Sequence, residues 1–394
     1  MIDAKIQIVP GFSWFGKNIG IKDKTFDFGG ILSEQVCSAA GVFTKNTMPG
    51  APVIVGKEHL SDGRLQAIIV NSKNANVATG RKGVEDSKEI CYMIAKSCGI
   101  EVNMVLPSST GVIGQRLPME KIVKGCENIC QEFGTTEQDI KNFAQSIMTS
   151  DTREKLISAK VGNATILGVA KGAGMIEPNM ATMLAYFVSD AEIGSKQLQA
   201  ILKRVVDRSF NRISIDTDTS TSDTVISLCN GIAGPVNLDE FEATIGEMAI
   251  YLAKEIARDG EGATKLIELV VSGATTKEQA LLTAKSIINS PLIKTAIHGA
   301  DPNWGRFVMA IGKVFQYTVN ISELKIFFGK GDDRLGISAE MLDCDAVPLQ
   351  ELTEILKQKE VYVEVVLGDG YFSERVWGCD LTEEYVRVNA LYTT

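Results

Sequence analysis

The sequence contains very little histidine. Only two, His59 and His298, occur in 394 residues. Mechanisms of the Ser-His-Asp and Cys-His type, and most catalytic zinc sites, need at least one well-placed imidazole. An enzyme built from this chain therefore has to draw its base from another group.

Long apolar runs and an excess of positive charge are also missing. No stretch approaches the roughly 18 to 20 apolar residues of a membrane-spanning helix, and the formal net charge is −9. Nucleic acids and anionic membrane surfaces favour a basic protein face. We therefore expect neither as a partner, and a small-molecule substrate is favoured.

No secretion signal is recognisable, because the opening MIDAKIQIVPGFSW lacks a basic segment followed by a long apolar stretch. The eight cysteines are spread through the chain. Cys126 and Cys130 have no second pair that would complete a zinc site. We expect a cytoplasmic protein with free, mostly buried thiols and no metal.

The patterns that are present indicate a mixed α/β fold. Hydrophobic residues make up 45% of the chain and charged residues 23%, a balance typical of soluble proteins with substantial cores. The run at 154–174 indicates a β-hairpin whose turn is Gly162-Asn163. Periodicity predicts helices near 84–98, 195–211, 240–259, 276–289 and 348–359, and strands that include VIVGK (53–57), MLAYFVSD, LKIFFG, VYVEVVLG and EYVRVNALYTT.

The segment KGAGMIEPNMATMLAYF, residues 171–187, places Thr182 at the start of an apolar run, directly after Ala181. A threonine at a chain N-terminus carries its own base, because its α-amine lies next to its hydroxyl. The Thr182 hydroxyl can create that amine by attacking the carbonyl of Ala181, which gives an ester that water hydrolyses. The alternative is that Thr182 is an ordinary β-branched strand residue.

The same segment resembles a known family. GVAKGAGMIEPNMATML, at 168–184, is similar to the self-cleavage signature of the ornithine acetyltransferase family, enzymes of arginine biosynthesis that process themselves before a threonine. Further blocks resemble the family in the expected order: GVFTKN and APV at 41–53, AIIVNSKNAN at 67–76, SSTGVIG at 108–114, IMTSDT at 147–152, SFNRISID and DTST at 209–221, ARDGEGATK at 257–265, SPLIKTAIHGADPNWGR at 290–306 and YVRVNALYTT at 385–394. The resemblance covers essentially the whole chain, although Lys73 stands where the family usually has glycine.

The resemblance implies a role for several residues. Thr182 matches the nucleophile that is exposed by cleavage after Ala181, and Thr110 with Gly111 match an oxyanion-hole pair. A hydroxyl and a backbone N–H aimed at a developing negative charge are the donors that acyl transfer requires. The positions that match substrate-binding residues are Thr152, Lys171, Thr182, Glu261, Asn389 and Thr394.

The activity implied by the resemblance is transfer of an acetyl group from N2-acetylornithine to glutamate through an acetyl-threonine enzyme. Such covalent catalysis needs neither a metal nor a bound organic cofactor. The sequence leaves open whether acetyl-coenzyme A is a second donor. Two alternatives stay open: a self-processing aminopeptidase or amidase that uses water as acceptor, and an uncleaved binding relative.

The resemblance also implies an architecture, namely an αββα-type sandwich shared with self-processing aminopeptidases and a smaller C-terminal α/β domain at about 275–394. Cleavage would give an α chain of residues 1–181 and a β chain of residues 182–394. The family expectation is that these fragments stay associated as a heterotetramer with two copies of each.

Overall fold

The protein is described from a computed structural model that covers residues 2–3, 6–177, 183–331, 334–338, 341 and 347–391. Within this part, the chain forms two compact units. The first unit is built from residues within 1–211 and 218–256, and the second from 212–217 and the described residues from 257 onward. Each unit has its own β-sheet.

Nine strands form the sheet of the first unit, in the order β1-β6-β7-β8-β10-β3-β4-β5, with β2 paired to β3. Six strands form the sheet of the second unit, in the order β13-β12-β14-β11-β15-β9. The strands are β1 (Ile2–Asp3), β2 (Phe12–Lys17), β3 (Phe28–Phe43), β4 (Arg64–Asn71), β5 (Val105–Ser109), β6 (Lys155–Val161), β7 (Ala164–Lys171), β8 (Leu184–Glu192), β9 (Ile213–Ser214), β10 (Thr224–Pro235), β11 (Leu266–Ala274), β12 (Lys325–Phe328), β13 (Leu335–Ser338), β14 (Glu360–Val366) and β15 (Phe372–Cys379).

Helices accompany both sheets, so the predicted mixed α/β class is confirmed. They are α1 (Ala51–His59), α2 (Gly80–Cys98), α3 (Met119–Gly125), α4 (Glu137–Ser146), α5 (Ser195–Arg208), α6 (Leu238–Arg258), α7 (Lys277–Ile288), α8 (Pro291–Gly299), α9 (Gly305–Gly312), α10 (Leu349–Leu356) and α11 (Glu383–Leu391). Short 3-10 turns lie at 60–62, 102–104, 129–132 and 210–212. No helix among the described residues is long and apolar enough to cross a membrane.

The centre of the first sheet is buried. All of β7 and nearly all of β8 are inaccessible to solvent, as expected for strands covered on both faces. β7 and β6 form the predicted hairpin, with Gly162 in the left-handed region (φ 55). Strand β8 pairs antiparallel with β7 and parallel with β10. The residues on either side of the Ala181-Thr182 bond therefore lead into the best protected strands of the unit.

Aromatic rings fill the core beneath this sheet. The Trp14 and Phe143 ring centroids are 5.3 Å apart, and those of Phe143 and Tyr186 are 5.8 Å apart, both in edge-on arrangements. Such pairs add about 0.5 to 1.5 kcal/mol beyond the area that they bury. Tyr186 lies in β8, so this cluster fixes the strand that follows Thr182.

The prediction of a strand at VIVGK (53–57) is wrong, because these residues lie in helix α1. Pro52 stands in the first turn of this helix, where its missing N–H costs nothing, and Gly50 precedes it. A short apolar run of five residues cannot be distinguished by periodicity from a buried helix segment. The neighbouring proline was the better signal.

The prediction of a strand at EYVRVNALYTT is also wrong, since residues 383–391 form helix α11. The alternation of Tyr385, Val386, Arg387 and Val388 is typical of a strand. Two glutamates in the first turn, however, interact favourably with the helix N-terminus, and no residue of α11 is buried as a core strand would require. Residues 392–394 lie outside the described part of the chain.

The second unit contains a separate core. Val361, Val363 and Val365 are buried, so alternate residues of β14 point into this core. Helices α7, α9 and α10 cover this sheet, and the Phe307 and Phe328 rings meet edge to face at 5.3 Å. The described cysteines of both units are free thiols and most are buried, as expected.

Candidate active site

Residues 108–114, which we call the donor loop, begin at the end of β5. Their backbone is held against the segment that follows β4: the Thr110 N–H donates to the Asn71 carbonyl at 3.1 Å, and the Val112 N–H donates to the Lys73 carbonyl at 3.0 Å. The Ser109 hydroxyl also donates to the Asn71 side chain at 2.6 Å. The loop is therefore rigidly positioned.

Gly111 leaves no room for a side chain. Its φ is 127°, and a Cβ there would lie 2.2 Å from the carbonyl carbon of Lys73. Lys73 itself has a φ of 74°, a conformation that glycine adopts without strain. The backbone at Gly111 and the backbone at Lys73 are therefore in direct contact.

The donor loop presents two donors that are not engaged elsewhere. Thr110 is almost fully buried. Among the described residues, neither the Thr110 hydroxyl nor the Gly111 N–H has a hydrogen-bond partner. Gly111 is half-buried, so these two adjacent donors are accessible to an acceptor such as an oxyanion.

One residue of β8, Tyr186, has its hydroxyl near the Ser108 hydroxyl at the start of the donor loop. Burial raises the pKa of the Tyr186 hydroxyl in β8, and the nearby Ser108 hydroxyl at the start of the loop acts in the opposite direction. The first residue of β8, Leu184, is the cross-strand partner of Lys171. Ala181 and Thr182 lie outside the described residues.

Lys171 is buried at the end of β7, and its Nζ donates to the Thr149 hydroxyl at 2.9 Å. The Asp151 carboxylate accepts hydrogen bonds from the Gly172 N–H at 2.6 Å and from Lys155 Nζ at 2.7 Å. Burial acts to raise the pKa of Asp151, but the charges of Lys155 and Lys171 outweigh it and hold that pKa well below its usual range. Asp151 is therefore ionised and anchors the loop beside Lys171.

Lys22 extends this charged cluster toward the donor loop. Its Nζ donates to the Phe26 carbonyl at 2.9 Å and to the Met148 carbonyl at 2.6 Å. Burial lowers the pKa of Lys22 to about 8, and the positive charges of Lys171 and Lys73 act in the same direction. The carboxylates of Asp27 and Asp151 act on this pKa in the opposite direction, so lysines and aspartates alternate in this cluster.

The structure accounts for the predicted residues of the first unit as follows. The backbone of Gly111 lies against that of Lys73, and the charges of Lys73 and Lys171 both act on the pKa of Lys22. Thr152 follows the buried Asp151 directly and is itself exposed. Reasoning from the sequence missed Lys22, Asp151 and Lys155.

Two predicted residues of the second unit are in direct contact, although they are far apart in sequence. The Asn389 side-chain amide donates to the Glu261 carboxylate at 2.7 Å and to the Tyr385 carbonyl at 3.0 Å. Helix α11 places Asn389, and Gly262, with φ 71°, lets the loop that carries Glu261 pack against the start of this helix. Thr394, the last predicted residue, lies outside the described residues.

The two histidines have structural surroundings. His59 Nδ1 is 2.7 Å from the Val105 carbonyl, and His298 Nδ1 is 3.0 Å from the Asp380 carboxylate. Asp380 in turn accepts the N–H groups of Thr264 and Lys265. Neither imidazole belongs to the clusters around the donor loop or Glu261.

The geometry defines a class: a mixed α/β protein in which one loop has two donors suited to a negatively charged oxygen. Comparison with known proteins names the family. The model of the ArgJ family matches residues 13–394. The chain belongs to the ArgJ family, which confirms the resemblance found in the sequence.

Individual relatives match over their whole length. Arginine biosynthesis bifunctional protein ArgJ 2 of Clostridium acetobutylicum is 48% identical over 389 residues, which is 98% of this chain and 98% of the relative. Glutamate N-acetyltransferase Oat2 of Streptomyces clavuligerus is 41% identical over 398 residues, which is 100% of both. A solved structure of arginine biosynthesis bifunctional protein ArgJ from Bacillus halodurans is 40% identical, with a TM-score of 0.42, and covers 44% of this chain and 92% of that chain.

Proposed function

We propose that this protein is a cytoplasmic glutamate N-acetyltransferase of arginine biosynthesis. It moves the acetyl group of N2-acetylornithine to glutamate through an acetyl-threonine enzyme, after it has cleaved itself between Ala181 and Thr182. The observation that carries this proposal is a pair of adjacent donors, the Thr110 hydroxyl and the Gly111 N–H, which have no partner among the described residues. The full-length similarity to a protein named glutamate N-acetyltransferase supports it.

In the proposed mechanism, the Thr182 hydroxyl attacks the acetyl carbonyl, and its own α-amine takes the proton. Negative charge develops on the carbonyl oxygen, where the Thr110 hydroxyl and the Gly111 N–H stabilise it. Ornithine leaves with the proton held by the Thr182 amine. Glutamate then attacks the acetyl-threonine ester, and the same donors stabilise the second tetrahedral intermediate.

The buried ammonium group of Lys171 is suited to substrates that carry a carboxylate. Both N2-acetylornithine and glutamate present one, and Lys171 is held in place by Thr149. Glu261 is a carboxylate suited to an amino group, as in the cationic side chain of ornithine. We propose that neither a metal nor a bound organic cofactor takes part, and that the fragments 1–181 and 182–394 remain associated, two of each.

The proposal is tested by intact mass and N-terminal sequencing, followed by an assay with N2-acetylornithine. We expect two fragments, the second beginning at Thr182, and acetylglutamate that forms only when glutamate is added. Free acetate without glutamate would instead identify an amidase. A single uncut chain without turnover would identify a binding relative, and acetylglutamate formed from acetyl-coenzyme A would add the second donor.

Replacing Gly111 with alanine is expected to lower kcat for acetyl transfer by about 10²- to 10³-fold, the usual effect of losing one oxyanion donor. The new Cβ would overlap the backbone of Lys73, so the N–H of residue 111 has to move. Steady-state kinetics on the cut enzyme measures the change.

The matched control for this prediction is Gly114→Ala in the same loop. Gly114 also has a positive φ, of 84°, but nothing lies within 4 Å of a Cβ there. Gly114→Ala therefore shares the backbone strain of Gly111→Ala without the overlap with Lys73. Equal losses of kcat in the two variants would contradict the role of the Gly111 N–H.

Replacing Glu261 with glutamine is expected to raise KM for N2-acetylornithine roughly 10- to 100-fold, because a hydrogen bond to a charged group contributes about 1.5 to 3 kcal/mol. The amide keeps the size of the side chain and can still accept from Asn389. Glu383→Gln, an exposed change in the first turn of α11, is the control. An unchanged KM in Glu261→Gln would remove Glu261 from substrate binding.

A further inference from the structure

The segment 71–78, which we call the support segment, begins at the last residue of β4 and lies along the donor loop. Three of its residues have left-handed backbone conformations although none of them is glycine: Lys73 has a φ of 74°, Asn76 of 51° and Ala78 of 57°. Such conformations are rare outside glycine and persist only where the surrounding structure holds them. Their clustering indicates that this short backbone is under tight constraint.

Main-chain hydrogen bonds join the support segment to the donor loop at several points. Besides the bond from the Val112 N–H described above, the Ala75 N–H donates to the Val112 carbonyl at 3.0 Å, and the Gly114 N–H donates to the Val77 carbonyl at 3.0 Å. Both main-chain groups of Val112 are thus paired with the support segment, one residue beyond Gly111. A movement of the support segment would therefore also move the Gly111 N–H.

The side chain of Asn74 connects the same two parts of the chain a second time. It is buried, its Oδ1 accepts the Asn76 N–H at 2.9 Å, and its Nδ2 donates to the Arg116 carbonyl just beyond the donor loop at 2.9 Å. The Asn71 side chain acts at the other end, because it accepts the Ser109 hydroxyl and donates to the Asn74 carbonyl at 2.8 Å. The Asn74 amide therefore holds the left-handed turn at Asn76 and the far end of the donor loop together.

We propose that Asn74 is a positioning residue for acetyl transfer: its side chain holds the support segment and, through it, the Thr110 hydroxyl and the Gly111 N–H in the geometry that stabilises an oxyanion. This inference rests on the proposed function. Donors that are aimed in advance at a developing negative charge need no reorganisation during the reaction. The folded chain holds the strained backbone of the support segment before any substrate binds. Asn74 acts through this backbone and not by contact with the substrate.

The expected effect of losing this link follows from where the donors act. They stabilise negative charge that exists only in the transition state, so a displaced donor lowers kcat and leaves substrate binding unchanged. A displacement of about 1 Å that originates away from the reacting atoms can lower the rate by about 10²-fold. The proposal therefore predicts a decrease in kcat without an increase in KM.

The test variant is Asn74→Ser, because a serine hydroxyl can still accept the N–H two residues on but is too short to reach the Arg116 carbonyl. The chain contains a closely matched control at Asn230, whose side chain is also buried. Its Oδ1 accepts the N–H two residues on, that of Ile232, at 3.2 Å, and its Nδ2 donates to a distant carbonyl, that of Pro10, at 2.9 Å. Asn230→Ser therefore removes an equivalent link that does not involve the donor loop.

We expect kcat for acetyl transfer by the cut enzyme to fall about 10- to 100-fold in Asn74→Ser, with an unchanged KM for N2-acetylornithine. Amide hydrogen exchange, followed by mass spectrometry of peptides from the donor loop, should be faster in this variant than in wild type. In Asn230→Ser, kcat and exchange in the donor loop should both match wild type. Thermal unfolding should show a similar loss of stability in the two variants, because each loses one buried link of the same kind.

A wild-type kcat, a rise in KM alone or unchanged exchange in Asn74→Ser would each overturn the inference, as would an equal fall of kcat in Asn230→Ser. If Asn74→Ser does not fold, Asn74→Asp takes its place with the same expectations, because a carboxylate keeps the size of the side chain but cannot donate to the Arg116 carbonyl. Wild-type protein that is folded but transfers no acetyl group would refute the proposed function instead. Exchange in the donor loop can still be measured in that case, so the two failures are distinguishable.

Discussion

A chain with Thr182→Ala is expected to remain whole, and its rate of acetyl transfer should fall by about 10⁴-fold or more, the usual effect of removing a covalent nucleophile. The alanine has no hydroxyl to attack the preceding carbonyl, so neither the cut nor the acyl-enzyme can form. Denaturing gels and intact mass measure the cut, and acetylglutamate production measures the transfer.

Thr182→Ser is the conservative counterpart of this variant. It keeps the hydroxyl and the capacity to form an ester, so we expect two fragments and residual transfer. Two fragments from Thr182→Ala, with the second beginning at residue 182, would show that another group performs the cleavage. Full transfer by an uncut chain would show that a free amine is unnecessary.

Replacing Lys155 with methionine is expected to destabilise the first unit by about 3 to 5 kcal/mol, because it leaves the Asp151 carboxylate buried without its main partner. The Lys155 and Asp151 side chains are both fully buried and 2.7 Å apart. Urea unfolding followed by circular dichroism measures the loss.

The chain contains a closely matched control for this change. Lys141 and Glu137 have the same four-residue spacing and the same 2.7 Å separation, but their side chains are 42% and 44% exposed. We expect Lys141→Met to cost less than about 1 kcal/mol. Equal losses would mean that burial of the Lys155–Asp151 pair is not what makes it important.

Lowering the pH should remove the stability that the Asp151–Lys155 pair contributes. The folded pKa of Asp151 is depressed, so its contribution to stability is complete above the ordinary aspartate pKa of about 3.9 and is lost as pH falls below that value. In Lys155→Met the Asp151 pKa rises, and the loss should begin at higher pH. The double variant with Asp151→Asn should recover part of the stability, because the unpaired charge is gone.

Local patterns predicted the regular elements of this fold well where they were strongly periodic. The hairpin of β6 and β7 and helix α5 follow directly from alternation and three-and-four spacing. The wrong predictions at α1 and α11 have one cause. A short apolar or alternating run indicates only that one face of the element is buried, and it does not distinguish a strand from a helix. Pro52 and the glutamates at 383–384 were the local signals of helix.

The candidate site divides in the same way. Thr110, Gly111 and Lys171 could be named because whole blocks of sequence resemble a family, whereas residues that act through burial could not. Asp151 looks like an ordinary acidic residue in a linear sequence. Its significance depends on the segments that enclose it, and these come together through contacts between parts of the chain that are far apart. The four-residue spacing of Asp151 and Lys155 was a usable signal.

The pairing between β7 and β8 determines whether the two fragments of a cleaved chain stay together. Six residue pairs, from Lys171 with Leu184 to Ile166 with Ser189, join these strands on either side of the connection that holds the Ala181-Thr182 bond. Hydrolysis there would open a loop and leave every one of these pairs in place. The two polypeptides could then separate only if the hydrogen bonds in the middle of the sheet broke. Neither could refold alone, because each would have an unpaired edge strand. Two genes that encode the halves should therefore yield active material only when both are expressed in the same cell.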